Sequence, residues 1–208
     1  MKTHTKETQA TMTPNKALDF LKEGNHRFQN NLKANRNLLE QVNDTSEGQF
    51  PFATILSCID SRVSAELVFD QGLGDIFSIR IAGNFSNQDI LGSMEFGCKL
   101  AGTKLVVVLG HTSCGAIKGA CDHARLGNLT ALINKIEPAV DAVTEPKDES
   151  QRNSQNLEFV DKVAEKNVLL TINNIRQYSP VLAEMEDNGE IKIVGAMYDI
   201  STGEVVFY

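Results

Sequence analysis

Two short segments carry side chains able to share one metal ion: Cys58-Ile59-Asp60-Ser61-Arg62 and Gly110-His111-Thr112-Ser113-Cys114-Gly115. His111 and Cys114 put an imidazole and a thiol three residues apart on a glycine-flanked turn, and Cys58 would supply a third ligand. Three protein ligands of Cys2His type with a fourth position open characterise catalytic zinc, whereas structural zinc is usually closed by four. Taken singly, Cys58 or Cys114 is more often a buried core residue than a ligand; the joint placement of all three favours metal. Asp60 and Arg62 alternate just beyond Cys58. As a surface ion pair they would contribute little. Beside a metal, the carboxylate can accept a hydrogen bond from hydroxide on the ion while the guanidinium fixes the carboxylate. Such a centre delivers hydroxide to an electrophilic carbon near neutral pH. Cys98 lies in an apolar helical pattern and Cys121 follows Cys114 by seven residues on one helix face, so both read as core. His4 lies in the N-terminal tail, whereas His26 and His123 fall in polar helical stretches and read as solvated surface residues.

The elements that must bring these groups together alternate between strand and helix. PFATILS reads as a short buried strand ending at Cys58, IFSI as a second strand, DILGSMEFGCKLA as a helix, and KLVVVLG as a third strand ending just before His111. AIKGACDHA and LTALINKIEPAV read as single helices. TEPKDESQ is a polar surface loop, and a long helix runs from about Asn153 to Arg176. Ser179-Pro180 opens a short last helix; IKIVGAMYD and EVVFY flank Ile200-Ser201-Thr202-Gly203 as a terminal hairpin. Upstream, Thr13-Pro14 caps an amphipathic helix through Leu18, Leu21 and Phe28, residues 1–13 read as a disordered tail, and residues 32–50 as an extended polar connection. The pattern predicts an α/β fold: a central, mostly parallel sheet with an antiparallel C-terminal edge strand, flanked by helices, with an N-terminal helical arm. In such sheets ligands collect beyond the carboxyl ends of strands, where Cys58 and His111/Cys114 fall.

Bulk properties narrow the classes. At 208 residues and 41% hydrophobic content the chain is expected to form one domain. A net charge of −7 argues against nucleic-acid and anionic-membrane partners, which need a basic face. The N-terminus has no apolar leader segment, and LVVVL is too short to cross a bilayer, so a cytoplasmic protein is expected. Four cysteines are too few for a disulfide framework.

Together the segments Cys58-Ile59-Asp60-Ser61-Arg62-Val63 and Gly110-His111-Thr112-Ser113-Cys114-Gly115 resemble the two signature motifs of the β-class carbonic anhydrases. The similarity extends through Glu23-Gly24-Asn25-His26-Arg27-Phe28, Arg80-Ile81-Ala82-Gly83-Asn84 and Gly115-Ala116-Ile117-Lys118-Gly119, and covers residues 14–208 as a single catalytic domain. The resemblance implies zinc on Cys58, His111 and Cys114, and an Asp60–Arg62 catalytic dyad. It implies a carbon dioxide and bicarbonate pocket drawing on Gln49, Phe77, Ala82, Phe96 and Gly115, partly made by a neighbouring subunit of a homodimer or tetramer. Phe96 stands where many members have tyrosine. Two subgroups differ in whether the aspartate stays with the arginine or closes onto zinc. The absence of tryptophan and the presence of Gln49 favour the open, plant-like form, although Arg80 matches an arginine of the closed form's inhibitory pocket. Alternatives are a carbon disulfide or carbonyl sulfide hydrolase on the same scaffold and a thiol-based redox protein; no Cys-x-x-Cys pair supports the latter.

Overall fold

A computed structural model describes residues 2–208. Helices α1 (Lys6–Ala10), α2 (Pro14–Gln29) and α3 (Leu38–Asp44) precede strand β1 (Ala53–Ser57). After a short α4 (Ala65–Val68) come β2 (Ile76–Arg80), α5 (Gln88–Glu95), which runs on as a wider π-helical turn over Phe96–Leu100, and β3 (Leu105–His111). Helices α6 (Gly115–Cys121), α7 (Gly127–Ile133), α8 (Glu137–Ala142), α9 (Leu157–Tyr178) and α10 (Pro180–Asp187) lead to β4 (Lys192–Tyr198) and β5 (Val205–Phe207). The strands form one sheet in the order β2-β1-β3-β4-β5. All neighbours are parallel except β4 and β5, which form the expected antiparallel edge.

β1 and β3 are buried along their whole length, which is why they read as continuous apolar runs. Side chains alternate across the sheet. Val106 and Val108 join Leu56 and the apolar stripe of α9 (Val160, Val163, Val168) on one face, while Leu105, Val107 and Leu109 join Ala17 and Leu21 of α2 and Phe52 and Phe69 on the other. Register fixes the site: Ser57 pairs with Leu109 on one side and Arg80 on the other. Cys58 therefore leaves β1 level with the end of β2 and the last turn-ward residues of β3.

Three expectations need correction. Residues 6–10, read as part of a disordered tail, form α1, closed by a reciprocal Thr5/Thr8 capping box. The segment is tied down by Gln9, whose Nε2 donates to Pro51 O at 2.7 Å and Ala101 O at 2.8 Å. The connection 32–50 contains α3, capped by Asn37, with Gln41 buried and accepting from Leu73 N at 3.2 Å. The single helix expected over 129–140 is broken into α7 and α8, because Pro138 has no N–H to extend the first helix and sits instead in the opening turn of the second. Among the described residues no helix is long and apolar enough to cross a membrane.

Candidate active site

Cys58 sits one residue past β1, His111 ends β3, and Cys114 is the residue that opens α6. Their ligand atoms all lie within 4.8 Å of one another, and all three residues are buried. The two sulfurs are 3.9 Å apart. The turn between His111 and Cys114 is tied on several sides. Thr112 N donates to Tyr198 O at 3.0 Å, Thr112 Oγ1 accepts from Ile200 N at 3.1 Å, and Ser113, at φ 55°, donates its N–H to Asp161 Oδ1 at 2.8 Å.

The imidazole is set for an ion. Its Nδ1 lies 2.9 Å from Thr112 O, and a carbonyl only accepts, so Nδ1 carries the proton and the Nε2 lone pair is free. That Nε2 is fully buried without a hydrogen-bond partner. An orphaned buried polar atom costs about 1–3 kcal/mol, a cost removed if the atom ligates a metal. Around it, the thiols share a proton. The contact with Cys114 is the main reason the Cys58 thiol lies well below its ordinary value, with the Gly83 N–H adding to it against the opposing effect of burial. Cys114, donating to Cys58 and buried, is pushed far up. Two neighbouring cysteine sulfurs and one oriented imidazole form the Cys2His donor set of catalytic zinc, and the residues fit that ion.

Asp60 is gripped by Arg62 through Nε–Oδ1 at 2.9 Å and Nη2–Oδ2 at 2.7 Å, and its Oδ1 also accepts from Arg62 N at 3.0 Å. The Arg62 hydrogen bond is the main reason its carboxyl lies well below the usual carboxylate range. Oδ2 is 4.0 Å from His111 Nε2, so the dyad faces the ligand cluster. Arg80, from the end of β2, donates Nε to Cys58 O at 2.9 Å and Nη2 to Asp60 O at 2.6 Å.

The five residues expected around the substrate divide into two groups. Ala82 precedes Gly83, whose N–H approaches Cys58 Sγ at 3.4 Å, and exposed Gly115 follows Cys114 with open space beside it. Gln49, Phe77 and Phe96 are elsewhere. Phe52 is hydrogen-bonded to Asp75 and Lys104 at the amino ends of the neighbouring strands, so Gln49 lies beyond the amino end of β1, about 17 Å of strand from Cys58. Phe77 pairs with Thr54, also near that end, and its ring is 6.1 Å from that of Phe96. Both rings line an open cavity of about 1050 Å³ along the free side of β2, which Arg80 also borders.

Sequence reasoning missed Arg80 as a clamp on two carbonyls, Asp161, and Asn167, which donates Nδ2 to Gly83 O at 2.8 Å. Asn167 carries a signal only as a polar residue within the buried stripe of α9, and half-buried Asp161 lies beside that stripe. Cys98 and Cys121 are buried away from the cluster, and His26 and His123 are exposed, as read from the sequence.

Residues 53–205 match the carbonic anhydrase family. Over 199 residues the chain is 34% identical to carbonic anhydrase 2 of Mycobacterium tuberculosis, covering 93% of this chain and 92% of that protein. It is 32% identical over 198 residues to the carbonic anhydrase of Mycolicibacterium smegmatis, with 92% of each covered. Two solved structures share the fold at a TM-score of 0.71: the β-carbonic anhydrase CcaA (26% identity, 92% of this chain and 94% of that one) and the β-carbonic anhydrase CafA of Aspergillus fumigatus (28% identity, 82% and 81%). A mostly parallel α/β sheet with a buried Cys-His-Cys cluster beyond its strand ends is the frame of a candidate metal-binding enzyme. The chain belongs to the carbonic anhydrase family, in its β class, and interconverts carbon dioxide and bicarbonate.

Proposed function

We propose that hydration takes place at one zinc ion held by Cys58, His111 and Cys114, with Asp60 and Arg62 as the catalytic dyad and the fourth metal position left open to solvent in the resting enzyme. The observation carrying this reading is the buried, unpartnered Nε2 of His111 in one cluster with two cysteine sulfurs. When bound, zinc makes hydroxide available near neutral pH. Asp60 Oδ2, the oxygen nearer the ligand cluster, would accept a hydrogen bond from the hydroxyl that such an ion supplies and so orient it toward the carbon of carbon dioxide. Arg62 keeps that carboxylate ionised and off the metal.

The open, plant-like form is supported by the two-pronged Asp60–Arg62 pair. Arg80 adds to this. Its guanidinium is engaged by the carbonyls of Cys58 and Asp60, which holds the dyad loop in place and takes donors away from an inhibitory anion.

Ala82 and Gly115 border the reacting carbon in the same chain. Gln49, Phe77 and Phe96 serve the centre of a second copy: they are too far along the sheet from their own Cys58, while Phe96 and Leu100 are 53% and 76% exposed beside the free edge of β2. A homodimer, or a tetramer built from dimers, brings Gln49 to the bicarbonate oxygens and the phenyl rings to the apolar substrate. Two thiol ligands suit a reducing compartment such as the cytoplasm.

Metal analysis tests the assignment. Purified protein should contain about one zinc per chain, and Cys114→Ser should lose zinc and carbon dioxide hydration together. A zinc-free chain with full activity overturns it.

A further inference from the structure

The peptide N–H of Ser113 belongs to neither neighbouring element. Thr112 N is the last amide joined to the sheet, through Tyr198 O, and Cys114 already caps α6. At φ 55°, Ser113 is in the left-handed region that residues with a β-carbon seldom adopt, so its conformation persists only where the surroundings fix it. Its N–H is met by a carboxylate oxygen of Asp161 at 2.8 Å, reaching from the second turn of α9. A charged acceptor makes this one of the stronger kinds of hydrogen bond.

We infer that Asp161 is a positioning residue of the zinc centre, its carboxylate locking the Ser113 peptide so that His111 and Cys114 present their ligand atoms to one ion. The inference rests on the assignment of Cys58, His111 and Cys114 as the zinc ligands. The same helix grips the other ligand segment: Asn167 donates to Gly83 O, and Gly83 N approaches Cys58 Sγ. α9 is thus a common brace, with Asp161 setting one side of the metal site and Asn167 the other. Without the carboxylate, the Ser113 peptide is free to relax out of the left-handed region, and the span between the imidazole and the Cys114 thiol changes with it.

The test uses the full chain as Asp161→Ala and Asp161→Asn, with zinc affinity measured by competition against a chromophoric chelator and ligand geometry read from the d–d bands of the cobalt(II)-substituted protein. Asp161→Ala should weaken zinc binding by about 10–100-fold, the usual effect of removing an outer partner of a metal site, and shift the cobalt bands. Asp161→Asn, which keeps an acceptor oxygen, should stay close to wild type in both. A purely structural role would lower the melting temperature of zinc-free and zinc-loaded protein equally, with affinity and bands unchanged, and that result overturns the inference. If Asp161→Ala does not fold, Asp161→Glu decides: the carboxylate moved by one methylene should displace the cobalt bands, and unshifted bands overturn the inference. Wild-type protein that binds no zinc brings down the ligand assignment itself, an outcome distinct from equal zinc binding by wild type and variant.

Discussion

Arg62 holds both carboxylate oxygens of Asp60, at 2.9 and 2.7 Å, and one of those oxygens stands 4.0 Å from the metal-facing nitrogen of His111. The guanidinium is therefore the main side-chain restraint that keeps the carboxylate a hydrogen-bond acceptor and off the ion. Arg62→Ala should leave zinc content near one per chain but lower hydration turnover by about 10–100-fold, because the released carboxylate competes for the open position. Stopped-flow hydration assays alongside metal analysis check this. Near-normal turnover in the variant would show that Arg62 does not restrain Asp60.

The same pair sets a pH dependence. The Asp60 carboxyl is depressed below its ordinary value of 3.8, chiefly by the Arg62 hydrogen bond. A depressed folded-state value means the stabilisation is fully present above the unfolded value and disappears as the pH falls through the folded one. Asp60 should therefore remain ionised and paired throughout the neutral and alkaline range and down to about pH 4. The carbon-13 shift of its carboxyl should show no titration step in that interval, and in zinc-free Arg62→Ala, where no ion can take up the released carboxylate, the step should move back up toward the ordinary value. A wild-type step near pH 6 would contradict the pairing.

Gly110, immediately before His111, packs where β3, β4 and α9 meet. A β-carbon there would stand 2.6 Å from Met197 Sδ and 2.7 Å from Val168 Cγ2. Gly110→Ala should cost about 1–3 kcal/mol through overpacking, which in a domain of this size lowers the melting temperature by roughly 2–4 °C per kcal/mol. Because strain on β3 is carried to His111, zinc affinity should fall as well. Calorimetry of the zinc-loaded and zinc-free forms separates the two effects; an unchanged melting temperature would mean that Met197 and Val168 yield freely.

The halves of the metal site were legible for one physical reason. β1 and β3 are central strands buried on both faces, so each reads as an unbroken apolar run whose end is sharply marked, at Cys58 and at His111. What holds those ligands was not legible. Asp161 and Asn167 act on backbone groups of Ser113 and Gly83, far away in sequence, and a peptide N–H or carbonyl leaves no trace in residue identity. α3 was hidden because Leu38, Leu39 and Val42 are exposed at 57%, 77% and 49% while Gln41 is the residue that turns inward, which inverts the pattern by which an amphipathic helix is recognised. Motif resemblance implied a pocket shared between subunits without saying which subunit supplies Gln49 and Phe77; Phe77 pairs with Thr54 near the amino end of β1 and Gln49 precedes that strand, whereas Cys58 follows its carboxyl end.

That separation makes the dimer testable through activity. If Gln49, Phe77 and Phe96 of one copy complete the pocket of the other, a chain lacking its own metal ligand can still lend its pocket residues. Cys114→Ser and Gln49→Ala should each be impaired alone. After subunit exchange at equal amounts, random pairing in a two-fold dimer places half the chains in mixed dimers, each with one intact centre. Hydration should then rise to about a quarter of the wild-type value per chain, with the gain appearing only after exchange and not on simple mixing of pre-formed dimers. Activity that stays at the average of the two variants after verified exchange would mean that each chain supplies its own Gln49, against the strand geometry described above.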